Sequence, residues 1–267
     1  MSGNVDLYDH AYANYQEDLY REIRVETYGF DLGQTSWVTT EESNQIPRLL
    51  NLGTDSHVLE IGFGSGRYAL HIAKETGCRV MGVDINFHGV QSAVKLARQG
   101  NLQSRVEFTQ HDASEPLPFD DGRFDAVFSN DALCHIKERA SLLRDVHRVL
   151  RPGGRLLFSD ALVIGGFITN EEIATRSSIG FYVFTAPGVN EELLANSGFR
   201  MIQAMDTTGN AAEIAKRWHD ARESRSVELT AIEGALDYEG LQRFLSCAHK
   251  LTSERRLLRW VYVSVKS

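Results

Sequence analysis

The sequence is sparing in features that would assign a chain to several broad classes at once. Its 267 residues hold only three cysteines, Cys78, Cys134 and Cys247. An odd number without metal-type spacing argues for free thiols in a reducing cytoplasm and against a disulfide scaffold or a zinc site. No lysine–arginine cluster interrupts a formal net charge of −8. That balance argues against a nucleic-acid footprint and an anionic membrane surface. No apolar run approaches the roughly 20 residues needed to span a bilayer. The first residues, Met1 to Asp6, have neither a basic nor an apolar region of the signal-peptide kind, so no export signal is expected. Internal repeats and low-complexity tracts are absent too. What is present is ordinary globular composition, 42% hydrophobic and 24% charged, enough for one large domain or a domain with an appended lid.

The stretch His57-Val58-Leu59-Glu60-Ile61-Gly62-Phe63-Gly64-Ser65-Gly66 organises the rest. Val58, Leu59 and Ile61 form the short apolar run of a central parallel strand. Gly62, Gly64 and Gly66 follow, where the lack of a Cβ lets the backbone turn tightly and a ligand lie against it. A helix starts at Arg67, so its N-terminal N–H groups face the same place. The spacing is G-x-G-x-G, not the G-x-G-x-x-G of a dinucleotide fold.

Along the chain, helical and strand signals alternate. An aromatic stripe of Tyr8, Tyr12, Tyr15 and Leu19 marks a helix over 5–27, either packed on the body or covering the mouth of a site. Residues 28–38 are an aperiodic loop with the character of a pocket wall or a connector. Thr39 and Glu42 make a capping box for a helix reaching about Leu52. A second strand, Arg79–Asp84, ends in an acid 20 residues beyond Gly64, near the spacing of a carboxylate that accepts ribose hydroxyls. A third, Val106–Phe108, is followed by His111-Asp112-Ala113. A fourth lies within Phe124–Asp131, and a fifth over Arg155–Asp160 after a helix closed by Arg151-Pro152-Gly153-Gly154. Thr169 to Glu172 is another capping box that opens a short helix, and a further helix is expected at Asn190–Ser197, a strand at Phe199–Gln203, two helices within 209–254, and a last strand at Leu257–Val265. This alternation implies a doubly wound α/β sheet.

In order, these motifs resemble the class I S-adenosylmethionine-dependent methyltransferases over residues 58–160. The matching elements are Val58–Gly66, Asp84, Asp112-Ala113, and Phe124–Asp131 followed by Leu150–Arg155. The resemblance implies a Rossmann-like seven-stranded sheet with an N-terminal helical cover (1–56), a cofactor core (57–208), a helical lid insertion (209–254) and a last strand (255–267). It implies S-adenosyl-L-methionine as cofactor and S-adenosyl-L-homocysteine as product. Glu60 would serve the methionine amino end, and Gly62, Gly64 and Gly66 the turn against the ligand. Asp84 would hold the ribose, Ile85 and Ala113 would lie by the adenine, and Asp112 would accept from its amine. Ser129 and Asn130 would border the methionine part, with Gln34 contributing from the loop.

Asp131-Ala132-Leu133-Cys134-His135-Ile136 is similar to the Asp-x-x-x-His stretch of phosphoethanolamine and sarcosine/dimethylglycine N-methyltransferases. Leu258-Arg259-Trp260-Val261-Tyr262 resembles the ending of the phosphobase enzymes, whose glycine-serine loop with a tyrosine is here Gly33-Gln34-Thr35-Ser36-Trp37. The expected acceptor is a small molecule, with an amine nitrogen ahead of carbon or oxygen, in a monomer or homodimer. Histidine suits the removal of an ammonium proton. If a helical turn began at Asp131, that carboxylate and His135 would share a face. Two other classes remain: a nicotinamide-dependent oxidoreductase, and a cofactor-binding module without catalysis. The ligand that copurifies separates the first alternative, and acceptor-dependent S-adenosylhomocysteine the second.

Overall fold

The computed structural model describes residues 17–267, so Tyr8, Tyr12 and Tyr15 lie outside the described residues. Its chain order is α1 (Asp18–Tyr28), α2 (Thr40–Leu49), β1 (His57–Ile61), α3 (Arg67–Thr76), β2 (Arg79–Asp84), α4 (Phe87–Gln99), β3 (Val106–Gln110) and β4 (Phe124–Ser129). A single 3₁₀ turn, Leu133–His135, precedes α5 (Arg139–Val149), β5 (Leu150–Ile164), α6 (Asn170–Arg176), α7 (Val189–Asn196) and β6 (Phe199–Asp206). Three helices, α8 (Thr208–Glu223), α9 (Ser226–Glu233) and α10 (Ala235–Ser253), come before β7 (Leu257–Lys266).

The seven strands form one sheet in the order β3-β2-β1-β4-β5-β7-β6. β1 to β5 run parallel, and β7 is antiparallel to both neighbours. The order reverses between β1 and β4, which opens a crevice at the carboxyl ends of those strands, where doubly wound sheets take ligands.

Alternation along β1 explains why both faces are covered. Val58 joins one apolar layer with Ile72 and Ala73 of α3 and Ala93 and Ala97 of α4. Leu59 and Ile61 join the other with Leu142, Leu143 and Val146 of α5 and Leu194 of α7. Fully burying each valine, leucine or isoleucine among them contributes about 1.5–3 kcal/mol. Glu60 points with Val58, toward the α3 side, and is the one acid in that run. A third cluster unites Ile23 and Tyr28 of α1, Trp37 of the following loop, and Trp218, Phe244 and Leu245 of the helices before β7. Trp218 is thus a core residue.

Several local expectations change. The capping boxes at Thr39/Glu42 and Thr169/Glu172 form, and each opens its helix. Pro152-Gly153-Gly154 does not separate a helix from a strand. β5 already begins at Leu150, and these residues make an irregularity in its pairing, with Phe124 opposite Leu150 but Ala126 opposite Arg155. A bulge absorbs the extra residues without ending the ladder. The insertion before β7 holds three helices because Gly234, at φ 85°, breaks what would otherwise be one run.

Candidate active site

A cavity of about 600 Å³ occupies the crevice. Its floor is Ile61, Gly62, Val83 and Asp84 at the carboxyl ends of β1 and β2. Gly62, Gly64 and Gly66 all have positive φ, at 73°, 57° and 74°. A Cβ on Gly62 would lie 2.4 Å from the Cβ of Ala132, so the glycine is required by the chain that packs over it. A Cβ on Gly66 would strike Ala93 and Phe108, so that residue serves helix packing rather than the cavity wall. Gly64 contributes its N–H, which donates to Asp84 Oδ2 at 2.7 Å.

Asp84 Oδ1 accepts from Asn86 N–H at 2.8 Å. With Ile85 as a further backbone donor, at least one of the carboxylate's roughly four lone-pair sites remains for a hydroxyl group. Burial raises this carboxyl above its ordinary pKa despite those donors. Glu60 is 1% exposed, and its Oε2 has no hydrogen-bond partner. Burial, with the Asp84 charge added, pushes its carboxyl well above the usual range. Glu60 is thus a dry acid beneath the floor, and Asp84, partly exposed on the floor, adds a second negative charge near it, an arrangement that favours a cation beside them.

The outer half of the cavity carries Ile85, 63% exposed, with Phe87, His111, Asp112 and Ala113. Asp112 Oδ1 accepts from the Ser114 N–H and hydroxyl, which hold its carboxyl below the ordinary range. The buried Nδ2 of Asn130 and Nε2 of His111 have no partner. Both residues line the cavity. Orphaned polar atoms, two carboxylates and an apolar shelf match a ligand with a cationic end, a diol and a flat heteroaromatic ring.

Some expected residues stand elsewhere. Ser129 is fully buried and donates to the Ile61 carbonyl at 2.8 Å, tying β4 to β1 and not facing the cavity. Gln34 is 2% exposed, and its amide bonds to Leu32 N–H and the Phe30 carbonyl. It braces the 28–38 loop, which offers Thr35 and Ser36 to the cavity instead. Ser65 donates to the Gly33 carbonyl at 3.2 Å, fastening that loop to the glycine turn. The loop is a pocket wall.

Asp131 and His135 do not share a helical face. Asp131 has φ 53°, and helical geometry begins only at Leu133. The carboxylate turns inward, accepting from Trp37 N–H (2.9 Å), Ser159 hydroxyl (2.7 Å) and Arg259 Nε (2.9 Å). His135 turns to the cavity. Its Nδ1–H donates to the Phe181 carbonyl at 2.8 Å, and its ring packs at 4.6 Å on Tyr182. A carbonyl can only accept, so that bond places the ring proton on Nδ1 and the basic lone pair on Nε2. Burial lowers the imidazole pKa below its ordinary value. Burial thus favours the neutral ring.

A family model described as a methyltransferase domain matches residues 59–158, the segment that builds this floor. Residues 59–158 form a methyltransferase domain. The chain is similar to the O-methyltransferase resE of Aspergillus sclerotiorum, at 29% identity over 186 residues, covering 68% of this chain and 70% of that one. It is similar also to a sarcosine/dimethylglycine N-methyltransferase of Halorhodospira halochloris, at 28% over 198 residues, covering 70% and 67%. Its fold matches phosphoethanolamine N-methyltransferase 2 of Haemonchus contortus, solved with S-adenosyl-L-methionine. The TM-score is 0.80 at 24% identity, over 99% of this chain and 60% of that one. These relatives include both O- and N-methyltransferases. No helix among the described residues is long and apolar enough to cross a membrane.

The sequence offers Arg259 only within the Leu258–Tyr262 resemblance, without a role, and does not single out Arg176. Arg259 had a visible signal, a lone cation inside an otherwise apolar strand, because such a charge must be paired. Arg176 had none, since the groups around it come from distant segments.

Proposed function

We propose that this methyltransferase transfers its methyl group to the nitrogen of a small amine, with His135 as the proton acceptor. The single observation that carries the reading is the orientation of His135, a neutral imidazole at the cavity wall with its basic nitrogen set by the Phe181 bond. S-adenosylmethionine, when bound, supplies a methyl on a positively charged sulfur that leaves as a neutral thioether, so no acid is needed for the leaving group. The chain must therefore align the acceptor, exclude water and remove one proton.

In this reading Glu60 balances the cofactor's ammonium, Asp84 receives the ribose hydroxyls, Gly62 and Gly64 lie along the methionine part, and Asn130 donates to it. Ile85, Ala113 and Asp112 take the adenine. Gly66, Ser129 and Gln34 act one step back, by shaping the turn, the strand and the loop. Asp131 is a positioning residue: it fixes the loop at Trp37, while His135 works on the acceptor. The 28–38 loop and the helices of 209–254 close the acceptor end.

The test is an acceptor screen that reads S-adenosylhomocysteine formation and product mass with matched amines, phenols and alcohols. An N-methylated product from amines, with hydroxyl analogues inert, is expected. Methylation of hydroxyl compounds alone overturns the nitrogen assignment.

A further inference from the structure

Five arginines are buried: Arg24, Arg139, Arg176, Arg222 and Arg259. Four of them hold a carboxylate, namely Asp31, Asp160, Glu233 and Asp131, at 2.6–2.9 Å. Arg176 is the exception among the described residues. It is 2% exposed, and its Nε and Nη1 have no hydrogen-bond partner. A guanidinium cannot shed its proton to escape this, and a buried charge without a partner is strongly unfavourable. Part of the cost is offset by three aromatic rings, Phe244, Tyr182 and Trp37, whose centroids lie 4.7, 4.8 and 5.5 Å from its Cζ.

The three rings surround the guanidinium, and its Nε and Nη1 donors are unused. The space beside it is a cleft of about 20 Å³, bordered by Thr35, Ser36, Asp131, His135 and Ile179. The same five residues also border the main cavity, so the cleft is a side pocket of it. Its room suits one water-sized group, such as a single carboxylate oxygen of a ligand that otherwise lies in the main cavity. Asp131 does not neutralise Arg176, because its oxygens are taken by Arg259, Trp37 and Ser159. Tyr182 touches both His135 and Arg176, so the proposed base and the unpaired cation stand one ring apart.

We propose that Arg176 is the anion-binding group of the acceptor site, and that the acceptor is a small amine bearing a carboxylate. This rests on reading the cavity as the acceptor site. A planar carboxylate matches the edge of the guanidinium fork and fits between rings, whereas a tetrahedral phosphate needs more width. The acceptor's amine then lies toward His135 and its acid toward Arg176.

The experiment titrates the full chain, saturated with S-adenosylhomocysteine, with sodium acetate, acetamide or inorganic phosphate, following tryptophan emission. Trp37 reports directly, and Trp218 lies 6.3 Å from it. Acetate should give a saturable change that acetamide and phosphate do not. Arg176→Met should weaken it by about 10–100-fold. The same variant should keep S-adenosylhomocysteine binding and melt no lower than the native protein, because an unpaired buried charge has been replaced by a side chain of similar volume. Arg176→Lys, which keeps the charge but not the fork, should show a weakened saturable response. An equal response to acetate and acetamide overturns the proposal, as does a response to phosphate alone. So does an unchanged acetate response in both variants, or loss of folding in both. No methyl transfer is read, so the titration stands even if the acceptor atom proves to be oxygen.

Discussion

Arg259 Nε lies 2.9 Å from Asp131 Oδ1 across 128 residues of sequence. This contact joins the last strand to the loop that carries His135. Arg259 is 0% exposed and also holds Glu42 at the start of α2 through Nη1. Burial disfavours its charge, but Asp131 and Glu42 raise its pKa beyond the ordinary arginine value. One cation thus ties the last strand, the start of α2 and the Asp131 loop together, and uses up the carboxylate that the sequence offers as a partner for His135.

Replacing Arg259 should therefore be costly in stability. Arg259→Met leaves Asp131 buried without its counter-ion and should cost about 3–5 kcal/mol in urea unfolding. Adding Asp131→Asn to that variant should recover part of the loss, since the stranded charge is gone. Additive losses in the double variant would mean that the pair is not coupled.

Asp84→Ala should weaken S-adenosylmethionine binding by roughly 1.5–3 kcal/mol, the scale of lost charge-assisted hydrogen bonds. The change also frees the Gly64 N–H that shapes the turn. Calorimetry giving native affinity in this variant would remove Asp84 from the cofactor site.

Glu60 predicts a proton release on cofactor binding. Its carboxyl is raised above the ordinary value of 4.5 in the folded protein, so over the window above that value the free protein keeps a proton that the unfolded chain has lost. Fold stability from this group is present below the window and falls as pH rises through it. A bound ammonium favours the ionised carboxylate, so binding expels the proton and affinity climbs with pH in the same window. Calorimetry in buffers of different ionisation heat measures it. Glu60→Gln should abolish the release, and a release unchanged in that variant would assign it to another group.

The parts of the site legible in the sequence are those whose geometry is local. The glycine turn needs positive φ at fixed offsets, and Asp84 ends the neighbouring strand, so spacing alone locates both. Asp112 and Ala113 follow a strand end in the same way. The Asp131–His135 pair misleads because an offset of four residues has meaning only inside a helix, and Asp131 adopts a left-handed conformation before the turn begins. Gln34 lies in an aperiodic loop, where nothing in the sequence says which side chain faces in. Arg176 is illegible for a different reason. Its cage is assembled from residues 37, 182 and 244, and its significance is the absence of a partner, which only the folded chain reveals.

The pH dependence of kcat/KM, measured for the native enzyme and for His135→Asn with the same amine acceptor, tests the central claim most directly. Burial lowers the His135 pKa, so the native profile should rise through a limb with its midpoint below 6.5. His135→Asn should lose that limb and about 10²–10⁴-fold in rate while binding S-adenosylmethionine as the native protein does. Near-native turnover with the limb intact in His135→Asn would contradict the account, because the proton acceptor would then be some other group.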